Sequence, residues 1–203
     1  MSEFLKPQFV SHRYEITGTR PLLTHSPQSM QGATSKKGVK LPTNIPTPDI
    51  EAEQGAYRND DDICCLPDMA FRASLLEGLK GSRIGKVGAA TVFQAAVFPS
   101  NPGSLVPLHD PESKDPINKY EVHTCRAVIQ RQGILRSRPI FRKWGCYLDL
   151  DIDESRLTPE LVENHLCTAG IVVGVGDFRI AKKGIFGAFD AKHLGPVADL
   201  EAT

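Results

Sequence analysis

Residues 158–189 read TPELVENHLCTAGIVVGVGDFRIAKKGIFGAF, and the reading of this stretch decides the fold. Thr158 and Pro159 open a helix, with a hydroxyl at the cap and a proline at the first position, where no amide donor is missed. Leu161, Val162, His165, Leu166 and Ala169 then fall on one helical face, the side that a core would cover. Gly170 is the expected stop, and Ile171 to Val175 reads as a short, fully apolar strand. Beyond it lie Gly174-Val175-Gly176, a basic tip with Arg179, Lys182 and Lys183, and Gly184-Ile185-Phe186-Gly187 leading into another short strand. Glycine permits positive φ and close approach of a second backbone. The loop is not a nucleotide-binding fingerprint. No GxxxxGK[ST] can be aligned to it, and Arg179 stands where a third dinucleotide-binding glycine would fall. A basic tip that reaches phosphates and a plain hairpin with a solvated tip both fit.

The pattern extends in both directions. Arg13–Thr19 alternates polar and apolar residues and ends at a glycine, as a first strand does. Residues 20–62 carry proline and glycine with little periodicity and are expected to form a long irregular insertion. Pro67 opens a helix whose Met69, Ala70, Ala73, Leu76 and Leu79 share a face and which Gly81 closes. Residues 83–119 hold a second insertion, in which Ala89–Leu108 reads as an apolar hairpin or arm. Its Val92, Phe93, Val97 and Phe98 must be covered by the protein's own core or by a neighbouring subunit. Tyr120–Gln130 and Ile140–Leu150 read as an antiparallel strand pair joined by RQGILRSRP. The order is strand, helix, strand, strand, helix, strand. That is an α+β fold of ferredoxin-like, RRM-like β-α-β-β-α-β type, one domain over residues 1–203 with insertions after the first strand and first helix. Two helices on one face of an antiparallel sheet leave the other face free for a ligand.

Charge adds a second signal. The chain has 203 residues, 24 basic and 24 acidic, so its net charge is zero. Any polyanion site must therefore be a local patch. Residues 126–145 contain Arg126, Arg131, Arg136, Arg138, Arg142 and Lys143 without one acid, and Phe141 and Trp144 offer stacking surfaces. Arginine suits bidentate phosphate contacts and base stacking. A solvated strand edge that deters association would show the same charges. Acids gather at residues 49–62 and 149–163, which suits head-to-tail self-association or ordinary solubility. Asp149, Asp151 and Asp153 alternate as on one strand face, but DLDLDID lacks the turn glycine and closing glutamate of a calcium loop.

Five unevenly spaced cysteines read as reduced thiols and fit a cytosolic protein. No metal signature is present, and no cofactor is expected. No apolar run reaches the length of a membrane span, and MSEFLKPQFV lacks a signal peptide's apolar core. His25, in PLLTHSPQSM, is the one weak catalytic candidate, as a base beside Ser26 or Asp177.

ITGTRPLLTHSP after the first strand, CLPDMAFRASLLEGLKG with its proline-led helix and Arg72, and AGIVVGVGDFRIAKKGIFGAF together resemble the RAMP superfamily. Within it, the likeness is to the backbone subunits that coat guide RNA in CRISPR surveillance complexes and to short phage-encoded relatives. The resemblance implies a palm that binds single-stranded RNA or DNA with little sequence preference. It implies as partners further copies of the chain or other CRISPR-type subunits. Asp68 and Met69 stand where the family prefers glycine and serine. The early loop carries His25 and no acid from Arg20 to Pro48, where RNA-cleaving members use an aspartate, so a non-enzymatic role is expected. The aromatic pair of an ordinary RRM sheet is missing too, which leaves backbone contacts as the main binding mode. The expected contacts are then Arg126, Arg131, Arg136, Arg138, Arg142, Lys143, Arg179, Lys182 and Lys183 to phosphates. Trp144 and Phe178 would stack on bases, and Gly174, Gly176, Gly184 and Gly187 would shape the loop. Two alternatives stay open: a protein-binding module that caps a CRISPR filament, and a metal-dependent nuclease built on His25 and Asp177 or on the aspartate row.

Overall fold

The computed structural model describes residues 6–27, 47–129 and 132–202. In chain order it contains β1 (Phe9–Gly18), β2 (Leu22–Leu23), α1 (Pro48–Gly55), β3 (Cys65–Pro67), α2 (Asp68–Gly78), β4 (Arg83–Ile84), β5 (Val87–Gly88), α3 (Ala89–Ala96), β6 (Val97–Pro99) and β7 (Leu105–Pro107). There follow β8 (Glu121–Ile129), β9 (Gln132–Phe141), β10 (Gly145–Asp153), α4 (Pro159–Val172), β11 (Phe189–Pro196) and α5 (Val197–Leu200). The fold is mixed α+β, with antiparallel sheets and five α-helices among the described residues. None of these helices is long and apolar enough to cross a membrane.

The main sheet runs β11-β1-β10-β6, each strand antiparallel to its neighbours. Its alternation sorts side chains strictly. On β1, His12, Tyr14 and Ile16 are buried, while Ser11, Arg13, Glu15 and Thr17 lie on the opposite face; on β10 Cys146, Leu148, Leu150 and Ile152 share the core face, and Gly145 and Asp153 at its two ends are buried as well. The buried face packs on Phe71 and Leu75 of α2, Phe93 of α3 and Val162 and Leu166 of α4. Both sheet edges are closed by side chains. Arg72 donates from Nε to the Val97 carbonyl outside β6, and Glu163 accepts from the His193 amide outside β11. Cys167 donates to the Ala191 carbonyl on that same edge. These contacts occupy the groups through which another strand would add.

Local chemistry explains where the sequence reading fails. Thr158 caps α4 as expected, its hydroxyl accepting from the Leu161 amide. The helix, however, does not stop at Gly170; it runs to Val172, and residues 171–175 form no strand. Gly170 is needed for packing, because a Cβ there would sit 2.0 Å from the Phe189 carbonyl oxygen of β11. The helix ends instead at Gly174, with φ +72°. On α2 the buried face is Phe71, Ser74 and Leu75, while Met69 and Ala73 are exposed. Of the expected stripe, Leu79 is buried and Leu76 packs on the core; α2 is apolar on more than one side, so spacing alone placed only part of the buried face.

The expected arm at 89–108 is mostly the helix α3 and the edge strand β6, with Phe93 and Val97 fully buried in this chain's own core. Of RQGILRSRP, the described residues 132–139 are no connection but part of β9, which pairs with β8 from Glu121 opposite Ile140 to Ile129 opposite Gln132. Ile140–Leu150 is accordingly broken in two, β9 ending at Phe141 and β10 starting at Gly145. The insertion at 20–62 contains β2 and α1, and residues 28–46 of it lie outside the described part.

Trp144, expected to stack on bases, is a core residue with 0 % exposure. Its Nε1 donates to the Arg20 carbonyl at 2.9 Å, and its indole covers Gly18, where a Cβ would come within 2.2 Å. Cys146 is fully buried as well. Burial raises the Cys64 thiol to about 11 and pushes the Cys65 and Cys146 thiols up too, so at neutral pH these sulfurs are protonated and poor nucleophiles.

Two outcomes follow from this packing. Gly170→Ala should lower stability by about 1–3 kcal/mol through overpacking against β11, read as a lower urea midpoint with an unchanged slope. His165 packs edge-on against Phe93 at 5.1 Å, and burial lowers its pKa. His193 is lowered by burial and then by the neighbouring His12. Both fold neutral and regain a proton on unfolding, so their contribution is full above the unfolded value of 6.5 and is lost as pH falls below it. Unfolding free energy measured from pH 7 down to 5 should therefore decline, and the His165→Gln/His193→Gln double variant should flatten the slope.

Candidate functional site

Three segments meet around one cavity. β2 is only two residues long, but it pairs with the end of β9, Leu22 opposite Phe141 and Leu23 opposite Ile140. That pairing brings Thr24 and His25 beside Arg138. The loop after α4 docks on the same strand, the Asp177 amide donating to the Leu23 carbonyl at 2.8 Å. Gly176 has φ +77°, and a Cβ there would lie 2.3 Å from that carbonyl oxygen, so glycine is required by the approach as well as by the dihedral. The third wall is α2, whose Ala70, Ala73 and Ser74 look across at Gly174 and Gly176. The cleft they bound is about half open to solvent and has a volume of about 460 Å³.

Its polar groups are arginines and their counter-charges. Arg138, only 11 % exposed in its side chain, forms an ion pair with Asp177. Its guanidinium lies over the Phe178 ring, 5.0 Å from the centroid. Its Nε is the atom that faces the Asp177 carboxylate, whereas its Nη1 has no hydrogen-bond acceptor, and the buried Ser74 hydroxyl has none either. Arg179 reaches Glu77 of α2 at 3.4 Å. His25 Nδ1 stands 3.9 Å from Asp177, and Tyr57 donates its hydroxyl to the His25 carbonyl at 3.3 Å. Burial first, then the Arg138 charge, holds His25 below its ordinary pKa, so the imidazole is neutral at pH 7. Phe178 has φ +46°, an unusual conformation for a bulky residue.

Of the residues singled out from sequence, Arg138, Arg179, Gly174, Gly176 and His25 line this cavity, and Phe178 stacks beneath it. The others are spread more widely. Arg136 pairs with Glu51 of α1 at 2.8 Å, Arg142 with Glu121 at 3.0 Å and Lys143 with Glu112 at 2.7 Å. Arg126 is exposed on β8, and Lys182 and Lys183 are exposed at the loop tip. Arg131 lies outside the described residues.

Gly184 and Gly187 do permit a close approach, but to the loop itself. A Cβ at Gly184 would lie 1.5 Å from the Phe178 carbonyl oxygen, and one at Gly187 1.8 Å from that of Val175. The expected aspartate row is likewise occupied: Asp149 by Arg13, Asp151 by the Ser100 hydroxyl at 2.7 Å and Asp153 by Arg156 and the Ser155 hydroxyl. Among the described residues no group of three His, Cys, Asp or Glu side chains is arranged to hold a metal ion. Tyr57, Leu66 and Ser74 were not legible as site residues. Only the run of small residues Ala70, Ala73 and Ser74 on one helical face signalled a wall with room beside it.

No protein-family model matches the chain, and no curated protein matches it.

Removing the counter-charge tests the geometry directly. Asp177→Ala leaves Arg138 largely buried without its carboxylate. It should cost about 1–2 kcal/mol, less than the 3–5 kcal/mol of a fully enclosed pair because Asp177 is partly solvated. Arg138→Met/Asp177→Ala should recover much of that loss in chemical denaturation.

Proposed function

We propose that this protein is a non-enzymatic, oligomerising single-strand nucleic-acid-binding protein of the RAMP type, with RNA the favoured ligand and the cavity beside Arg138 as its phosphate seat. The observation that carries the reading is the meeting of Arg138, Arg179 and the Gly174–Gly176 backbone at one cavity where Arg138 Nη1 and the Ser74 hydroxyl lack hydrogen-bond acceptors. Buried donors without partners are costly, and phosphate oxygens are acceptors that would satisfy them. Lys182 and Lys183 at the exposed tip of the same loop extend the cationic path.

The architecture is compatible with a ferredoxin-like palm. If β1, β6, β10 and β11 are taken as its four strands, the order β11-β1-β10-β6 is 4-1-3-2, antiparallel throughout. α2 and α4, packed together, are then the two crossover helices. The free sheet face is an unsuitable polyanion surface. It bears Glu15, Asp149 and Asp151, and its Arg13 is already bound to Asp149. Binding is accordingly assigned to the loop side. Self-assembly is assigned to the β8–β9 hairpin, where Leu135 is 73 % exposed and Val122, opposite Pro139 and farther along the same hairpin, is exposed as well.

Filter binding of a labelled single strand tests the reading. With three to five phosphates contacted, log affinity against log salt should have a slope of about −2 to −3.5, and the Arg179→Ala/Lys182→Ala/Lys183→Ala variant should reduce its size by about 2. Salt-indifferent binding, or no binding of RNA or DNA at low salt, would reject it.

A further inference from the structure

We propose that the cavity holds a whole nucleotide, taking a nucleoside 5′-monophosphate unit with its phosphate at the Arg138 end and its base on the opposite wall. The inference rests on the nucleic-acid reading but goes beyond phosphate contact along a groove. A groove that tracks a backbone needs only a charged floor. This site is a half-open cleft of about 460 Å³, a volume that also accommodates a small molecule. Its lining supplies both kinds of contact that such a ligand requires. Arg138, Arg179 and Ser74 supply donors, whereas Leu66, Pro67 and Ala70 form an apolar wall.

Tyr57 completes that wall with an aromatic ring. Its hydroxyl is tied to the His25 carbonyl, so the ring is held in place before anything binds, and a π-face accepts any base. The space exists because α2 presents Ala70 and Ala73 here rather than larger side chains. The second, independent sign of a ligand is Ser74. It is only 3 % exposed, it lies on the cavity wall, and its hydroxyl has no partner, a state that native interiors rarely tolerate.

The same chemistry is available from a free mononucleotide and from one nucleotide of a strand, and the test separates them. Ala73 is exposed at the cavity mouth, so Ala73→Phe fills the space without entering the core; an unchanged melting temperature verifies that the variant is folded. Calorimetry with AMP, adenosine and ribose 5-phosphate forms one arm. Filter binding of an adenine strand, with and without a single abasic position, forms the other.

The expected result is that AMP binds better than either fragment and competes with the strand. Ala73→Phe should abolish AMP binding and weaken the strand at least tenfold while leaving its salt slope unchanged, since no charge is removed. AMP binding lost in Ala73→Phe, in a protein that retains no strand, would support the cavity for free nucleotide and reject the strand reading alone. Strand binding unaffected by Ala73→Phe and by the abasic position, with no AMP heat, would overturn the inference and leave the strand reading intact.

Discussion

The docking of the glycine-rich loop onto the two-residue strand β2 is the constraint on which the rest depends. At Gly176 the two backbones approach so closely that a single Cβ would collide with the Leu23 carbonyl. The approach is fixed by the Asp177 amide on that carbonyl and by the Gly187 amide on the Pro21 carbonyl, each at 2.8 Å. Because β2 is in turn paired to β9, the loop is registered against the strand that carries Arg138. Asp177, Phe178 and Arg179 thereby reach their positions around the cavity through backbone contacts, which do not depend on long flexible side chains finding one another. The glycines of this loop are first of all devices for folding it against itself and against β2. Any ligand site is a consequence of that folding.

The same geometry changes what the charges mean. As a linear run, residues 126–145 look like a continuous cationic strip. In the folded chain Arg136, Arg138, Arg142 and Lys143 each face a carboxylate drawn from a different element. The exposed pairs contribute little to stability. They nevertheless flatten the long-range field, in keeping with a chain whose formal charge is zero. Arg138 differs from the rest. It is largely buried, it is stacked on Phe178, and its Nη1 lacks a hydrogen-bond acceptor. Orientation and desolvation, more than a surplus of positive charge, distinguish the cavity from the surrounding surface.

How far the sequence could be read follows from how local each signal is. Strand β1, the two main helices and the Thr158 cap depend on neighbours within a few residues, and they were legible. So were Arg138, Arg179 and the two glycines of the site, because arginine and glycine are conspicuous wherever they stand. Three features were decided by distant partners. The extent of α4 depends on Gly170 meeting Phe189, so a residue that locally reads as a stop lies inside the helix. The burial of Trp144 depends on Gly18 and Arg20, more than a hundred residues away. The conversion of QGILRSRP, residues 132–139, into strand depends on pairing with β8, which overrides its loop-like composition. Ser74 and Tyr57 carry no motif at all. They belong to the cavity only because α2 and the segment after α1 face the glycine loop.

On the proposed reading, pre-paired arginines limit what one copy can do and favour repetition. A phosphate that enters beside Arg138 meets a guanidinium already compensated by Asp177, so part of its attraction is offset by repulsion from that carboxylate at short range. Each seat is then modest in affinity, and selective for a ligand that also fills the apolar wall. A single strand presents the same unit repeatedly, and copies bound side by side convert later contacts into intramolecular ones at high effective concentration. The β8–β9 hairpin, with its exposed Leu135 and Val122, is the surface assigned to contact between neighbours. Weak, shape-selective seats joined by a separate assembly surface discriminate a long strand from isolated phosphates far better than one strongly cationic groove would. A neutral chain is compatible with that design because avidity, and not net charge, supplies the affinity.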